Sequence, residues 1–446
     1  MIRLFNVFIP PATFILLVFE SVFVTGAFLA ATLLLSDLDP LDYLLYDDGL
    51  FALLFVVVSF LLGMHFQDLY TQIRVKSRVL LVQQLCMTTG MAFLAQGLIS
   101  YVDTDLRVPV RVMLLGSAIA VPGVFLWRLC FGSLAGHMIG HTRLVTIGRS
   151  PVLDELREWI GLHPEAGLLV EASFETADEL GALREMVKKQ QQPPRIVYAG
   201  WGRPHPRMAR EIMELQLTGY EVETAAATYE KASGRVSLYS LHPQQLIYSS
   251  TFTVPLQRFF YQKVLNGLVA AICLIPVAPL LVLTALALRL FQRGPVFRGE
   301  TVIGLNGRPF RLYRFQTSKG AVGRMVRKIH LDGLPQFLSI LRGDMAIIGP
   351  CPARPEYFQA IERYIPFYRE CCTVRPGVTG WAQIHRSRPP GIEGILDKLE
   401  FDLYYIKNRS LGLDTLILLH ALKWMMLESE TPEPVLVHGE MTAAPN

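Results

Sequence analysis

Apolar residues fill the first third of the chain in four runs, about Pro11 to Leu35, Leu50 to Phe66, Val79 to Tyr101 and Val108 to Phe131. Each approaches the roughly 20 residues that a helix needs to cross the hydrocarbon core of a bilayer, so the pattern predicts four transmembrane helices. The polar gaps between them differ in sign: Asp37, Asp39, Asp42, Asp47 and Asp48 fill the first, and Arg74, Lys76 and Arg78 the second. Lys and Arg concentrate in cytoplasmic loops, which places the second gap and both ends of the bundle on the cytoplasmic side. Arg3 before the bundle and Arg128, His137, His141 and Arg143 after it agree. Glu20 in the first run, and Gln83 and Gln84 in the third, are costly in lipid unless they face other helices. Glu20 has two readings, a satisfied polar contact inside the bundle or a residue of a lipid pathway.

From about Thr142 to Ser250 the pattern changes to short apolar strands alternating with helical periodicity. Arg143 to Gly148, Leu168 to Val170 and Arg195 to Tyr198 read as strands; Val152 to Ile160, Leu180 to Val187 and Met208 to Leu217 read as helices. Such alternation predicts a parallel α/β sheet of Rossmann-like type. Gly148 is followed by Arg149-Ser150-Pro151 rather than a glycine-rich turn, which argues against dinucleotide binding.

The run from Val264 to Phe291 carries Pro276 and Pro279 near its middle, and two prolines there bend or break a helix. One reading is a re-entrant hairpin that returns to the face it entered; the other is a kinked span. Ala321 to Ile329 sets Val322, Met325, Val326 and Ile329 on one helical face and Arg324, Arg327 and Lys328 on the other, the pattern of a helix lying in the membrane interface or of a solvated basic face. Leu411 to Leu427, with His420, Lys423 and Trp424, reads as a second interfacial helix, and the tail after Glu428 as disordered.

Hydrophobic residues make up 51% and charged residues 18% of the 446, too apolar for an ordinary soluble protein. The net charge of +4 says less than the placement of the cations, which cluster beside apolar helices in the last third. That favours membrane headgroups and phosphorylated substrates, not nucleic acid, as partners. Six cysteines form no Cys-x-x-Cys pair and no zinc-ligand spacing, three lie in apolar runs where burial is expected, and adjacent Cys371 and Cys372 fit a reducing compartment. No short cleavable signal precedes the first run, which reads as a retained span.

Between Gly294 and Pro352 a series of short motifs appears in order: Gly294-Pro295-Val296-Phe297, Gly304-Leu305-Asn306-Gly307, Tyr313-Arg314-Phe315, Leu331-Asp332-Gly333-Leu334-Pro335-Gln336, and Leu341-Arg342-Gly343-Asp344-Met345 running into Ile348-Gly349-Pro350. Arg375-Pro376-Gly377-Val378-Thr379-Gly380-Trp381-Ala382-Gln383 and Asp402 to Ser410 follow. This order resembles the bacterial sugar transferase family, the monotopic polyprenyl-phosphate phosphoglycosyl transferases, in its larger form with an N-terminal membrane bundle. The resemblance implies transfer of a sugar phosphate from a UDP-sugar to polyprenyl phosphate, with release of UMP. It also implies an aspartate nucleophile that carries the phosphosugar, next to a glutamate that helps to hold Mg2+.

On that resemblance Asp332 is the nucleophile; its other reading is a helix N-cap. Arg314, Arg342, Arg354 and Arg375 are candidate phosphate contacts, because the guanidinium fork matches phosphate oxygens. Three positions depart from the family pattern: Gly333 replaces the glutamate, Cys351 the arginine of Gly-Pro-Arg-Pro, and Gln316 the arginine of the Lys-Phe-Arg motif. Glycine offers no ligand atom, so Asp344 and Glu356 become the candidates for the missing metal oxygen. His385 reads as a satisfied residue, not a base.

The expected architecture is a four-helix transmembrane bundle (1–140), a cytoplasmic Rossmann-like α/β module (141–250), a re-entrant helix with the phosphoglycosyl transferase domain (251–428) and a tail (429–446). The bacterial inner membrane is the expected location, with the catalytic domain facing the cytoplasm and with membrane lipids, a UDP-sugar and polyprenyl phosphate as partners; the bundle and the module offer surfaces for a homodimer. The expected role is initiation of exopolysaccharide or related glycan assembly. The competing readings are a catalytically impaired homologue serving as a scaffold or regulator, and an oxidoreductase built on the middle module.

Overall fold

The computed structural model describes residues 2–4, 7–9, 11–35, 40–45, 48–70, 77–103, 106–138, 142–175, 194–200, 206–241, 277–292, 294–317, 320–328, 331–365, 367–385 and 391–427. Two three-residue strands, β1 (Ile2–Leu4) and β2 (Val7–Ile9), precede the four apolar runs. These runs are helices α1 (Pro11–Leu35), α3 (Gly49–Phe66), α4 (Arg78–Val102) and α5 (Val110–Met138), with a short α2 (Pro40–Leu45) between the first two. All four long helices are apolar and long enough to cross a membrane. The chain divides into two compact units, one holding α1 to α5 and the other running from Arg143 onward.

Within the bundle, Phe28, Phe60, Met64, Leu85, Val112 and Val124 form the core, while Val22, Leu34, Leu94 and Leu98 point outward as lipid-facing side chains do. Helices α1 and α5 approach closely because Gly116 and Gly123 stand opposite Phe28 and Phe23; a Cβ at either glycine would come within 3.0 Å of the ring. Gln84 donates to the Gln67 carbonyl at 2.8 Å, a polar contact between helix ends, whereas Gln83 is exposed.

Glu20 is fully buried against Arg128. The guanidinium meets the carboxylate through Nε at 2.7 Å and Nη2 at 3.0 Å, and Nη1 donates to the Leu69 carbonyl at 2.6 Å. Arg128 is therefore not a cytoplasmic end charge, as its place in the sequence suggested, but a buried strut that ties α1, α5 and the turn after α3. Removing one partner of such a pair strands a charge and costs about 3–5 kcal/mol, whereas replacing both by apolar side chains of similar volume costs little. Arg128→Met is expected to destabilise the detergent-solubilised protein by that amount, and Glu20→Leu combined with Arg128→Met to regain most of it. Thermal unfolding of the three proteins checks this, and additive losses would refute it. Cys86 and Cys130, expected to be buried, are exposed on the outside of the bundle.

The α/β module is a four-stranded sheet of order β4-β3-β5-β6, built from β3 (Thr142–Ile147), β4 (Leu168–Phe174), β5 (Arg195–Tyr198) and β6 (Val222–Thr224). β5 lies parallel to β3 and to β6, pairing Leu144 with Arg195 and Ile196 with Val222. Helices α6 (Pro151–Leu162) and α8 (Ala225–Ser233) share one apolar cluster with Leu144 and Val197, while α7 (Pro206–Leu217) packs Leu215, Met208 and Ile212 against Val145, Ile147 and Ile196. Ser150 accepts from the Leu153 amide at 3.2 Å, with Pro151 opening the helix. The residues standing where a glycine-rich turn would approach a pyrophosphate are thus a helix cap. The expected 180–187 helix lies outside the described residues, as do Pro276 and the tail from Glu428.

The last third contains α9 (Val277–Phe291), the antiparallel hairpin β7 (Phe297–Ile303) and β8 (Pro309–Phe315), α10 (Ala321–Lys328), a 3-10 turn Leu331–Gly333, and α11 (Gln336–Arg342). Then follow β9 (Ala346–Ile348), α12 (Pro355–Glu362), a 3-10 turn Tyr368–Thr373, β10 (Gly377–Thr379), α13 (Trp381–Ile384), α14 (Ile392–Asn408) and α15 (Leu411–Leu427). The largest core here gathers Leu399, Phe401, Tyr404 and Tyr405 of α14 with Trp381, Phe358, Tyr368, Leu413 and Ile417. Pro279 lies in the described part of α9, two residues after its first described position, Val277. Helix α10 differs from its expected faces. Val322 and Val326 turn into the protein, and Met325 sits outside with Arg324, Arg327 and Lys328. One residue before Val326 is about 100° around the helix, enough to move Met325 off the valine stripe.

The segment after α8 lies along α14. Burial pushes the Glu400 carboxyl up to about 8, helped by the Glu155 charge and opposed by the Leu238 amide and Arg235; burial also raises Glu155. A carboxyl whose folded value lies above its unfolded value binds more protons in the native state, so stability is full below about pH 4.5 and declines as pH rises toward 8. The melting temperature is expected to fall across pH 5 to 8, and to fall less in Glu400→Gln. Parallel profiles for the two proteins would contradict this.

Candidate active site

Leu331 and Leu334, which flank Asp332, pack into one apolar cluster with Leu281, Ala285 and Leu288 of α9, Phe315 of β8, and Val322 and Val326 of α10. The opposite side of α9 leaves Leu283, Leu286, Leu290 and Phe291 exposed. Asp332 therefore sits on a turn clamped to an apolar helix. It is half-buried, and among the described residues its carboxylate makes no hydrogen bond or ion pair. Helix α11 begins four residues later behind Pro335 with no side-chain cap, so the N-cap reading of Asp332 does not hold.

Arg314 reaches this turn from β8. With its amide oxygen turned toward the guanidinium, buried Gln336 accepts from Arg314 Nε at 2.8 Å and Nη2 at 3.3 Å. A Cβ added at Gly333 would meet the same amide at 3.4 Å, an ordinary contact, so the backbone itself leaves room for a side chain there.

Exposed Arg342 lies 5.7 Å from the centre of the Tyr313 ring, and Arg311 lies at the same distance. Arg354 is drawn to Glu300 in a close ion pair, so it faces its own strand hairpin rather than standing open. Arg375 is half-buried; burial lowers its guanidinium from the usual range and the Asp344 charge works against that shift. Asp344 is thus engaged electrostatically with Arg375, while Glu356 is exposed in the first turn of α12. Among the described residues no three His, Cys, Asp or Glu side chains converge to hold a metal. Asp344 faces the Arg375 charge, Glu356 lies open to solvent, and Gly333 contributes no donor atom.

Strands β9 and β10 run parallel, pairing Gly377 with Ala346 and Thr379 with Ile348, and their ends are held by glycines in backbone contact. Gly349 donates to the Thr379 carbonyl at 2.9 Å, and Gly377 to that of Pro350 at 2.9 Å. A Cβ on Gly349, Gly377 or Gly380 would fall within 3.0 Å of the facing backbone. This crossing fixes the Pro350-Cys351-Pro352 turn, where Cys351, Cys371, Cys372, Lys398 and Asp402 line a cavity of about 30 Å³. Burial raises the Cys371 thiol well above its ordinary value and pushes Cys372 up to about 11, so both are inert thiols. Burial opposes the Lys398 charge, but Cys351, Asp402, Tyr368 and Cys371 together raise the ammonium above the ordinary lysine range. A cation therefore stands beside the residue that replaces the motif arginine. The sequence missed Lys398, since nothing marks one lysine among the polar positions of a helix. His385 is satisfied, with Nδ1 2.9 Å from the Trp381 carbonyl and its ring stacked on Phe401.

A model of the bacterial sugar transferase family matches residues 257–428. Over 177 residues the chain is 37% identical to the uncharacterized sugar transferase EpsL of Bacillus subtilis (strain 168), covering 35% of this chain and 83% of that protein. The chain belongs to the bacterial sugar transferase family. It is also 35% identical over 216 residues to a UDP-N-acetylgalactosamine-undecaprenyl-phosphate N-acetylgalactosaminephosphotransferase of Aeromonas hydrophila, covering 44% of this chain and 50% of that one. A UDP-glucose:undecaprenyl-phosphate glucose-1-phosphate transferase of Escherichia coli (strain K12) is 34% identical over 169 residues, 32% of this chain and 36% of that protein. This bacterial sugar transferase thus matches half or less of the length of these two relatives.

Proposed function

We propose that this protein transfers a sugar 1-phosphate from a UDP-sugar to a polyprenyl phosphate at the bacterial inner membrane, with its transferase part on the cytoplasmic side, as an initiating step of exopolysaccharide or related glycan assembly. The observation that carries this is the uncommitted Asp332 carboxylate on a turn packed against an apolar helix, with Arg314 reaching the same turn. The Asp332 oxygen attacks the sugar-linked phosphorus, the bond to the bridging oxygen breaks, and UMP leaves. A polyprenyl phosphate oxygen then attacks the same phosphorus and frees the carboxylate. Arg314, held by Gln336, offsets phosphoryl charge in both steps. The exposed apolar side of α9 supports a re-entrant seat in the bilayer, which brings a water-soluble donor and a lipid acceptor to one carboxylate.

Gly333 favours a second reading, an impaired homologue that binds polyprenyl phosphate or a partner enzyme. The test is UMP release in lipid nanodiscs with Mg2+, polyprenyl phosphate and a panel of UDP-sugars. Release by the natural protein supports the transferase. Silence of the natural protein together with release by Gly333→Glu, which the free space at Gly333 accommodates, supports the impaired homologue.

A further inference from the structure

We infer that the end of the α/β module, residues 225–241, is a positioning element for the transferase loops, acting through Trp381 and helix α14. This rests on the reading of the 331–383 region as a sugar-phosphate transfer site. The segment grips α14 along most of its length. Buried Glu230 accepts from Lys407 Nζ at 2.6 Å and from Asn408 Nδ2 at 2.6 Å, at the last turn of α14. Arg235 pairs with Asp397 at 3.0 Å about three turns earlier and lies 4.5 Å from the Phe401 ring centre. Between them the Val236 amide donates to the Glu400 carbonyl at 3.2 Å, and Val236 itself joins the Trp381 and Phe401 core.

The contact that reaches the site is at Gly234. This residue ends α8 in the left-handed region at φ 66°, and its carbonyl accepts the Trp381 indole N–H at 2.9 Å. Trp381 directly follows Gly380, whose α-carbon abuts the Gly349 carbonyl, and Gly349 leads into Pro350-Cys351-Pro352. A shift of the indole thus propagates through backbone contacts that cannot slide, because no side chain separates them.

The test reads the loop directly. Trp381→Phe keeps an aromatic ring but removes the donor, and Glu230→Gln weakens the hold on Lys407. In full-length protein in nanodiscs, alkylation of Cys351 by N-ethylmaleimide, followed by mass spectrometry of its peptide, is expected to quicken roughly 5-fold in Trp381→Phe, the factor given by loss of one buried hydrogen bond, with the melting temperature within a few degrees of natural. Glu230→Gln should quicken it in the same direction. Unchanged Cys351 rates in both variants would overturn the inference, as would a rise that appears only together with loss of the folded state. Since alkylation needs no turnover, a protein silent in UMP release would refute the proposed activity and leave this measurement standing on its own.

Discussion

Asp332→Asn is expected to lower sugar-phosphate transfer by ~10⁴-fold or more, since an amide oxygen is a far poorer nucleophile than a carboxylate and the covalent step has no other group to use. The same substitution is expected to leave stability within about 0.5 kcal/mol of natural, because a half-exposed side chain with no partner among the described residues holds nothing together. This separation is what distinguishes a reactive carboxylate from a structural one. An N-cap aspartate would show the opposite pattern, with about 1 kcal/mol of lost stability and little loss of rate. UMP release and thermal unfolding, measured on the same preparation, decide between them. Residual release above a few per cent of natural would remove Asp332 from the covalent step.

The parts of this fold that the sequence discloses are those set by long apolar periodicity. Four runs near membrane length became four helices, three with ends within a residue of the runs and the fourth continuing seven residues past Phe131 to Met138, because a bilayer-length stretch of apolar side chains admits few alternatives. What it hides is which partner a polar residue finds. Arg128 follows an apolar run and reads as a terminal charge until the fold brings Glu20 to it from 108 residues away. Arg354 reads as open to phosphate until the hairpin sets Glu300 beside it. Helix α8 and the Gly234 contact leave no mark in the sequence because a nine-residue helix of alanines and polar residues carries almost no pattern of its own, and its stability comes from Tyr229 and Ala225 packing into the module. The ordered motifs identified the family correctly, but motif positions say only where a side chain starts. Asp344 and Glu356 share motifs with the site, yet one lies beside Arg375 and the other points to solvent.

Gly377→Ala is expected to destabilise the transferase part by about 3 kcal/mol or more and to abolish transfer with it, since the overpacking here is against backbone and not a side chain that can swing away. The added methyl would run into the Gly349 amide, the group that donates to the Thr379 carbonyl, so relieving the clash means parting β9 from β10. That separation would carry Arg375 and the Pro350-Cys351-Pro352 turn away from each other, which is why rate and stability should fall together here although they separate at Asp332. Gly333→Ala is the internal control: its methyl meets the Gln336 amide at an ordinary 3.4 Å, and its effect on unfolding should stay within about 0.5 kcal/mol. If Gly377→Ala melted with the natural protein, the close crossing of the two strands could not be what holds the loops, and the motif glycines would need another explanation.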